Sequence, residues 1–135
     1  MSSSVMLLLV EDEVLIMDVM EDALTEAGYQ VVKAKNGTKA LEEIEKEASR
    51  FRAIITDIKM GSGPDGWEVA KRARELIPHM PIVYMSGDSA HEWASKGVPG
   101  SVALAKPFAA AQLVTAVSML ATEADMHAPP VAEGS

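Results

Sequence analysis

The sequence lacks cysteine and any long hydrophobic run, and these absences exclude several classes of protein. Without cysteine there is no disulfide bond and no thiolate metal site, which is compatible with a reducing compartment. The apolar run at 5–10 is too short to span a membrane, and no positive charge precedes it, which argues against a signal peptide. We therefore expect a cytoplasmic protein with no membrane segment.

Positive charge is also scarce. Twelve Lys and Arg residues stand against twenty Asp and Glu residues, which gives a formal net charge of −8. Such a surface repels nucleic acid and anionic lipid, so we expect protein partners, although acidity alone also keeps a small protein in solution. The hydrophobic fraction of 48% in 135 residues is enough for one core, and the chain is too short for two.

Five short apolar runs alternate with five segments of helical periodicity, which predicts an α/β fold. The predicted strands are 5–10, 30–35, 52–58, 81–86 and 101–105, and the predicted helices are 14–27, 36–48, 65–77, 89–97 and 109–121. Alternation requires crossover connections, so we expect a parallel sheet with buried strands. The predicted domain is 1–122, with a disordered tail at 123–135 that is rich in Ala, Pro, Glu and Gly.

Local signals mark the ends of several helices. Asn36 is expected to cap the second helix, Asp65 and Glu68 to form a capping box on the third, and Ser89 and Glu92 to do the same on the fourth. The apolar positions of the first helix are Val14, Leu15, Val19, Ala23, Leu24 and Ala27.

Charged and polar residues follow the predicted strands where apolar runs end. Glu11 and Asp12 follow the first strand, Asp57 ends the third, Ser86 the fourth, and Lys106 follows the fifth. Ligands of open parallel sheets bind beyond the carboxyl ends of the strands, so these groups are expected to converge. Two carboxylates about 4 Å apart repel by roughly 4 kcal/mol at an effective dielectric near 20. The excess negative charge predicts a hard divalent cation, Mg²⁺ or Mn²⁺.

A simpler interpretation is that the acidic residues only favour the start of the first helix through its dipole. We prefer that interpretation for Glu13. It does not suffice for Asp12, because it leaves the carboxylate of Asp57 unexplained at the end of a buried strand, where an unpaired charge is costly.

These residues lie in motifs that resemble the receiver domain of two-component response regulators, over about 5–121. The motifs are Val10-Glu11-Asp12-Glu13, Ile55-Thr56-Asp57-Ile58-Lys59-Met60, Asp65-Gly66, Met85-Ser86-Gly87 and Lys106-Pro107-Phe108. Each motif is weak alone, but their order and their places at successive strand ends are specific. The resemblance implies a flavodoxin-like, doubly wound (βα)5 fold with strand order 2-1-3-4-5, in a CheY-like, stand-alone receiver.

The resemblance also implies roles for individual residues. Asp57 would accept a phosphoryl group, and Asp12, Asp57 and the backbone carbonyl of Lys59 would bind the metal ion, with Glu11 acting through water. Ser86 and Lys106 would contact the phosphoryl group. The only chemistry implied is phosphorylation and dephosphorylation of the chain's own Asp57, so we do not expect an enzyme in the usual sense.

The partners implied by the resemblance are proteins. The phosphoryl donor would be a histidine kinase or a histidine phosphotransfer protein, and the output would be binding to a downstream protein target. The chain would be a monomer or a phosphorylation-dependent dimer. The Lys106–Pro107 peptide bond is expected to be cis, as is usual in this family.

Some positions depart from the family pattern. Ala103 stands where an aromatic switch residue is common, which suggests a subfamily without that switch. Tyr84, two residues before Ser86, could take part in signalling, but packing in the core is the better expectation. Trp93 fits either a partner anchor or the edge of the core, and Trp67 fits packing. His79 and His91 lie in unlike segments without metal-ligand spacing.

Three alternatives remain at this point. The first is a receiver-like scaffold that binds partners without being phosphorylated, which Ala103 favours slightly. The second is a dinucleotide-binding enzyme, because Gly61-x-Gly63-x-x-Gly66 formally matches a fingerprint, although Pro64 removes an amide and the chain is short. The third, a phosphatase resembling the haloacid dehalogenases, is weak because the first strand is followed by only one Asp.

Overall fold

A computed structural model describes residues 5–87 and 90–127, which form one parallel sheet and five α-helices. The strands are β1 (Val5–Val10), β2 (Tyr29–Ala34), β3 (Phe51–Asp57), β4 (Ile82–Ser86) and β5 (Val102–Ala105). The helices are α1 (Val14–Glu26), α2 (Gly37–Glu47), α3 (Gly66–Leu76), α4 (Trp93–Lys96) and α5 (Ala110–His127). Short 3-10 turns at Ala48–Arg50 and Ala90–Glu92 precede β3 and α4.

All strand pairs are parallel, and the order across the sheet is β2-β1-β3-β4-β5. The predicted fold class and strand order are therefore confirmed. From β1 the chain adds β2 on one side of the sheet and then β3, β4 and β5 on the other side. This change of side leaves a crevice at the carboxyl ends of β1 and β3, where ligands of such sheets bind.

Side chains of the central strands alternate between two apolar layers. Leu7 and Leu9 of β1 face α1 and α5, whereas Leu8 and Val10 face α2 and α3. All four are fully buried. Burial on both faces explains why β1 is a continuous apolar run and not an alternating one.

Helix α1 buries only part of the apolar set that its sequence suggested: Leu24 is fully buried as expected. Val14, Leu15 and Val19 are exposed, by 72%, 80% and 63%, while Met17 and Met20 pack into the core. The polar residues of the helix lie on one side at helical spacing, and the buried residues lie opposite them. The apolar Val14, Leu15 and Val19 lie on or beside the polar side and are exposed. This arrangement leaves an apolar surface on α1.

The capping predictions for α2 and α3 are confirmed. The side chain of Asn36 accepts a hydrogen bond from the amide of Lys39 at 2.8 Å, and Asp65 and Glu68 form a reciprocal capping box. The third predicted box cannot be compared, since Ser89 lies outside the described residues.

Several predicted boundaries differ from the structure. Strands β2 and β3 each start and end one residue earlier than predicted, and α4 covers only Trp93–Lys96 of the helix predicted at 89–97. The predicted end of the last helix near Ala121 is wrong, because α5 continues to His127 through residues that favour helix, with no Gly or Pro before Pro129. The rest of the predicted disordered tail, 128–135, lies outside the described residues. Among the helices described, none is both long and apolar enough to cross a membrane.

Candidate functional site

The ends of β1, β3 and β5 bring three charged segments together at one edge of the sheet. Backbone hydrogen bonds continue past the strands and fix these segments. The amide of Glu11 donates to the carbonyl of Ala34 at 3.1 Å, and the amide of Lys106 donates to the carbonyl of Ser86 at 2.7 Å. The side chains that follow are therefore held by the sheet itself.

Lys106 joins the acidic groups of two different strands. Its Nζ donates to Glu11 Oε1 at 2.9 Å and to Asp57 Oδ2 at 3.2 Å. The second oxygen of Glu11 accepts from the amide of Glu13 at 3.1 Å. Oxygens of Glu11, Asp12 and Asp57 all lie within 4.8 Å of one another. The predicted convergence of these four residues is what the structure shows.

Burial differs sharply among the three carboxylates. Glu11 and Asp57 are buried, while Asp12 is exposed at the mouth of the site. Burial raises the pKa of Asp57 above its ordinary value, and Lys106 only partly opposes this. Burial likewise raises the pKa of Glu11, against hydrogen bonds from Lys106 and the amide of Glu13. Both carboxylates are thus less stable in the charged form than they are in water.

Two opposing effects act on the pKa of the Lys106 ammonium. Burial acts to lower its pKa, but the hydrogen bond with Glu11 and the negative charges of Asp57 and Glu11 together outweigh this effect, so the pKa of Lys106 is raised. Lys106 stays positively charged at neutral pH. Three carboxylates against one ammonium give a formal excess of two negative charges in a small volume.

This donor set fits a hard divalent cation. Carboxylate oxygens are the ligands that Mg²⁺ prefers, and the exposed carboxylate of Asp12 beside the buried one of Asp57 leaves room for the waters that the ion retains. Both carboxylate oxygens of Glu11 already accept hydrogen bonds, one from Lys106 and one from the amide of Glu13. This arrangement suits binding of a metal ion through a water molecule and not directly. Among the residues that the structure describes, this acidic cluster is the one group of His, Asp and Glu close enough to hold a metal ion.

The family of the chain follows from comparison with known proteins. Residues 7–118 match the model of the response regulator receiver domain. The chain belongs to the receiver family. It therefore acts in two-component phosphorelay signalling, as a signalling protein and not as a classical enzyme.

Individual receivers resemble the chain along most of its length. A crystal structure of a response regulator receiver protein from Sinorhizobium medicae WSM419 is 47% identical and has a TM-score of 0.87, covering 90% of this chain and 98% of that one. The receiver protein CpdR of Brucella abortus (strain 2308) is 37% identical over 84 residues, which are 62% of this chain and 68% of CpdR. The sensor kinase CckA of the same strain is 30% identical over 128 residues, which are 93% of this chain but 13% of the kinase.

The other residues expected in a receiver site lie close by. Ser86 is buried at the end of β4, in register with Ala105 of β5. Lys59 follows β3 and is exposed. The Lys106–Pro107 peptide bond is cis, as expected. The roles expected for Ser86, Lys106 and the carbonyl of Lys59 concern a bound ion or phosphoryl group and stay predictions.

Sequence reasoning missed how closely the β3–α3 loop returns to Asp57. The amide of Gly66 donates to the carbonyl of Ile58 at 2.8 Å, and a Cβ at Gly66 would overlap the carbonyl oxygen of Asp57. The hydroxyl of Thr56 donates to that same carbonyl oxygen at 2.9 Å. The Asp65-Gly66 motif was the available signal, since glycine marks close approaches of backbone.

The structure and the family together decide between the alternatives left open for Tyr84, Trp67 and the glycine-rich loop. Tyr84 is fully buried with its ring 4.7 Å from that of Trp67, so both pack in the core as expected. Trp93 is 38% exposed. The dinucleotide-binding and phosphatase alternatives are wrong, because residues 7–118 match the receiver domain. The glycine-rich loop at 61–66 packs against the backbone of Asp57 through Gly66.

Proposed function

We propose that the chain accepts a phosphoryl group on Asp57 from a phosphohistidine of a histidine kinase or phosphotransfer protein, in a reaction that requires Mg²⁺ or Mn²⁺. The observation that carries this proposal is the double hydrogen bond of Lys106 to Asp57 and Glu11, with Asp12 within reach of both carboxylates. A structural ion pair alone would not need the third carboxylate.

The chain's own residues position the reaction. A carboxylate oxygen of Asp57 attacks phosphorus as the bond from phosphorus to the histidine nitrogen breaks, and the electron pair stays with the imidazole. Lys106 neutralises charge beside Asp57 before transfer and pairs with the phosphoryl oxygens afterwards, while the hydroxyl of Ser86 meets another oxygen. A later attack by water on the same phosphorus resets the carboxylate.

Metal binding would fall to Asp12, Asp57 and the backbone carbonyl of Lys59, with Glu11 acting through water. When bound, the ion would neutralise the charge of the phosphoryl oxygens. The excess of two negative charges in the site supports this assignment. The exposure of Asp12 supports a site that remains open to solvent and substrate oxygens.

The phosphoryl donor is proposed to dock on the exposed apolar surface of α1. A groove of about 550 Å³ lies between α1 and the segment after β5. Its lining residues are Leu15, Ile16, Val19, Met20, Lys106, Pro107, Phe108 and Ala110. Lys106 belongs to this groove and to the acidic site, so a protein seated on α1 would bring its histidine close to Asp57. A patch this apolar beside a reactive site is typical of an interaction surface.

Intact mass after incubation with a small acyl phosphate and Mg²⁺ tests the proposal. We expect a gain of one phosphoryl group, which is lost in Asp57→Asn and in the presence of a metal chelator. Asp22→Asn, which changes an exposed aspartate of α1, is the matched control and should behave like the unchanged protein. An unchanged mass in the unmutated protein would favour a scaffold that binds partners without being phosphorylated, which Ala103 already favours slightly.

A further inference from the structure

The place beside Ala103, where other receivers commonly carry an aromatic ring, is occupied from the neighbouring strand. Tyr84 is the register partner of Ala103 in β4 and β5. Its side chain is fully buried, and its hydroxyl accepts a hydrogen bond from the amide of Val98 at 3.1 Å. A ring held in this way is part of the core, so the moving element of the switch has to be elsewhere.

The segment that follows α4 is firmly anchored. Arg74 of α3 donates to the carbonyl of Pro99 at 2.6 Å and to that of Met80 at 2.7 Å. The hydroxyl of Ser101 donates to the carbonyl of Val98 at 2.6 Å, and Tyr84 holds the amide of Val98. These contacts fix 98–101 to α3 and β4.

Helix α4 itself makes few contacts with the rest of the described structure. It spans only Trp93–Lys96 and has no buried residue. The indole Nε1 of Trp93 donates to the hydroxyl of Ser101 at 2.9 Å, across to the anchored segment. The ring also lies against Gly97, where a Cβ would overlap it. Among the side-chain hydrogen bonds described for α4, the bond from Trp93 is the one that reaches outside the segment 90–97.

We propose that Trp93 is a latch that holds α4 against Ser101 in the unphosphorylated protein and releases it on phosphorylation. The proposal rests on the proposed phosphorylation of Asp57. Trp93 is seven residues beyond Ser86 in the sequence. A shift of Ser86 toward a phosphoryl oxygen therefore changes the distance between Ser86 and α4, while Val98 beyond α4 stays fixed.

The hydrogen bond between Trp93 and Ser101 is the contact that yields most easily. A neutral hydrogen bond contributes on the order of 1 kcal/mol, so its loss changes the ratio of closed to open forms about five-fold. Release exposes the indole beside the edge strand β5. A large, amphipathic ring of this kind is a suitable anchor for a downstream protein.

Acrylamide quenching of Trp93 fluorescence in a Trp67→Phe background tests the latch, with intact mass measured on the same samples. The background leaves Trp93 as the single tryptophan. On phosphorylation we expect the quenching constant to rise about two-fold, since an indole that is 38% exposed becomes fully exposed.

Two variants should open the latch without phosphorylation. Ser101→Ala removes the acceptor together with the bond from the hydroxyl to the carbonyl of Val98, whereas Gly97→Ala places a Cβ where the indole lies and leaves Ser101 unchanged. Each should raise the quenching constant of the unphosphorylated protein toward the phosphorylated value. Ser118→Ala is the control, because it likewise removes a hydrogen-bonded serine hydroxyl, in this case one paired with Tyr29 of β2 and not with α4. It should leave quenching unchanged.

The outcomes separate the latch from the proposed function. A gain of phosphoryl mass with unchanged quenching of Trp93 overturns the latch and leaves phosphorylation of Asp57 in place. An unchanged mass overturns both. If phosphorylation raises quenching but neither Ser101→Ala nor Gly97→Ala does so beforehand, the contact of Trp93 with Ser101 is not what holds α4 closed, and the latch is again overturned.

Discussion

At the scale of single residues, the site is built around one ammonium group shared by two carboxylates. Lys106 reaches Glu11 and Asp57 from a third strand, and its own side chain is only 20% exposed. Changing the charge of one member of such a group alters the electrostatic energy of the other two, because all three are partly or fully withdrawn from water. The charges of these three residues are therefore coupled, and a change at one alters the others.

The raised pKa of Asp57 predicts how Asp57→Asn affects stability. Because burial raises its pKa in the folded state, Asp57 contributes stability only at pH values below its ordinary pKa of 3.8, and this contribution is lost as pH rises through the higher folded value. At neutral pH the neutral amide should therefore stabilise the metal-free protein, by on the order of 1 kcal/mol.

Urea unfolding in the presence of a chelator, from mildly acidic to neutral pH, measures this effect. The stability of Asp57→Asn should fall less steeply with rising pH than that of the unchanged protein. Asp22→Asn, at an exposed position, serves as the control and should leave the pH dependence as it is. A variant Asp57→Asn that is less stable at neutral pH would show that pairing with Lys106 outweighs burial.

At the scale of secondary structure elements, helix α1 combines two surfaces. Its buried side contributes Met17, Met20 and Leu24 to the core, and its outer side presents Leu15 and Val19 to solvent. The polar residues of α1 mark its solvent side in the sequence, but they do not show how far Leu15 and Val19 are exposed beside them. That depends on how the helix is rotated against β1 and α5, which is a property of packing.

We expect Leu15→Ser to weaken transfer from a protein donor without affecting transfer from a small acyl phosphate. Losing a large apolar contact costs on the order of 1.4 kcal/mol in binding, which is about ten-fold in affinity. Transfer rates from a phosphorylated partner kinase, at subsaturating receiver, measure the effect. Met119→Ser removes an apolar side chain that is 60% exposed on α5 and is the matched control. Equal losses in both variants would contradict docking on α1.

At the scale of the whole molecule, the chain is strongly acidic, and part of this negative charge is gathered in the site. The formal net charge is −8, and three carboxylates meet within one small cluster. A ligand that binds only the folded state stabilises that state by mass action. Metal binding at the site should therefore be visible in global unfolding.

Mg²⁺ at about ten times its dissociation constant should raise the free energy of unfolding by about 1.4 kcal/mol. The shift is expected to disappear in Asp12→Asn, which leaves the pair between Lys106 and Asp57 intact. Thermal unfolding at constant ionic strength, with K⁺ replacing Mg²⁺ in the reference, measures it. The same shift in Asp12→Asn as in the unchanged protein would mean that the ion acts at another place on the acidic surface.

The sequence by itself determined the class of fold and the identity of the residues that meet in the site. Alternating strand and helix patterns require a parallel sheet, and all strands of such a sheet end at one edge, so Glu11, Asp57 and Lys106 had to lie near one another. This inference needs only local patterns and the order of elements along the chain.

Only the tertiary structure decided contacts that depend on distances between distant segments. It showed that both oxygens of Glu11 are engaged, that α1 exposes Leu15, and that Trp93 bonds to Ser101. The physical reason is that helix rotation and side-chain pairing follow from how the whole core packs, and a pattern of residue types along one segment does not contain that information.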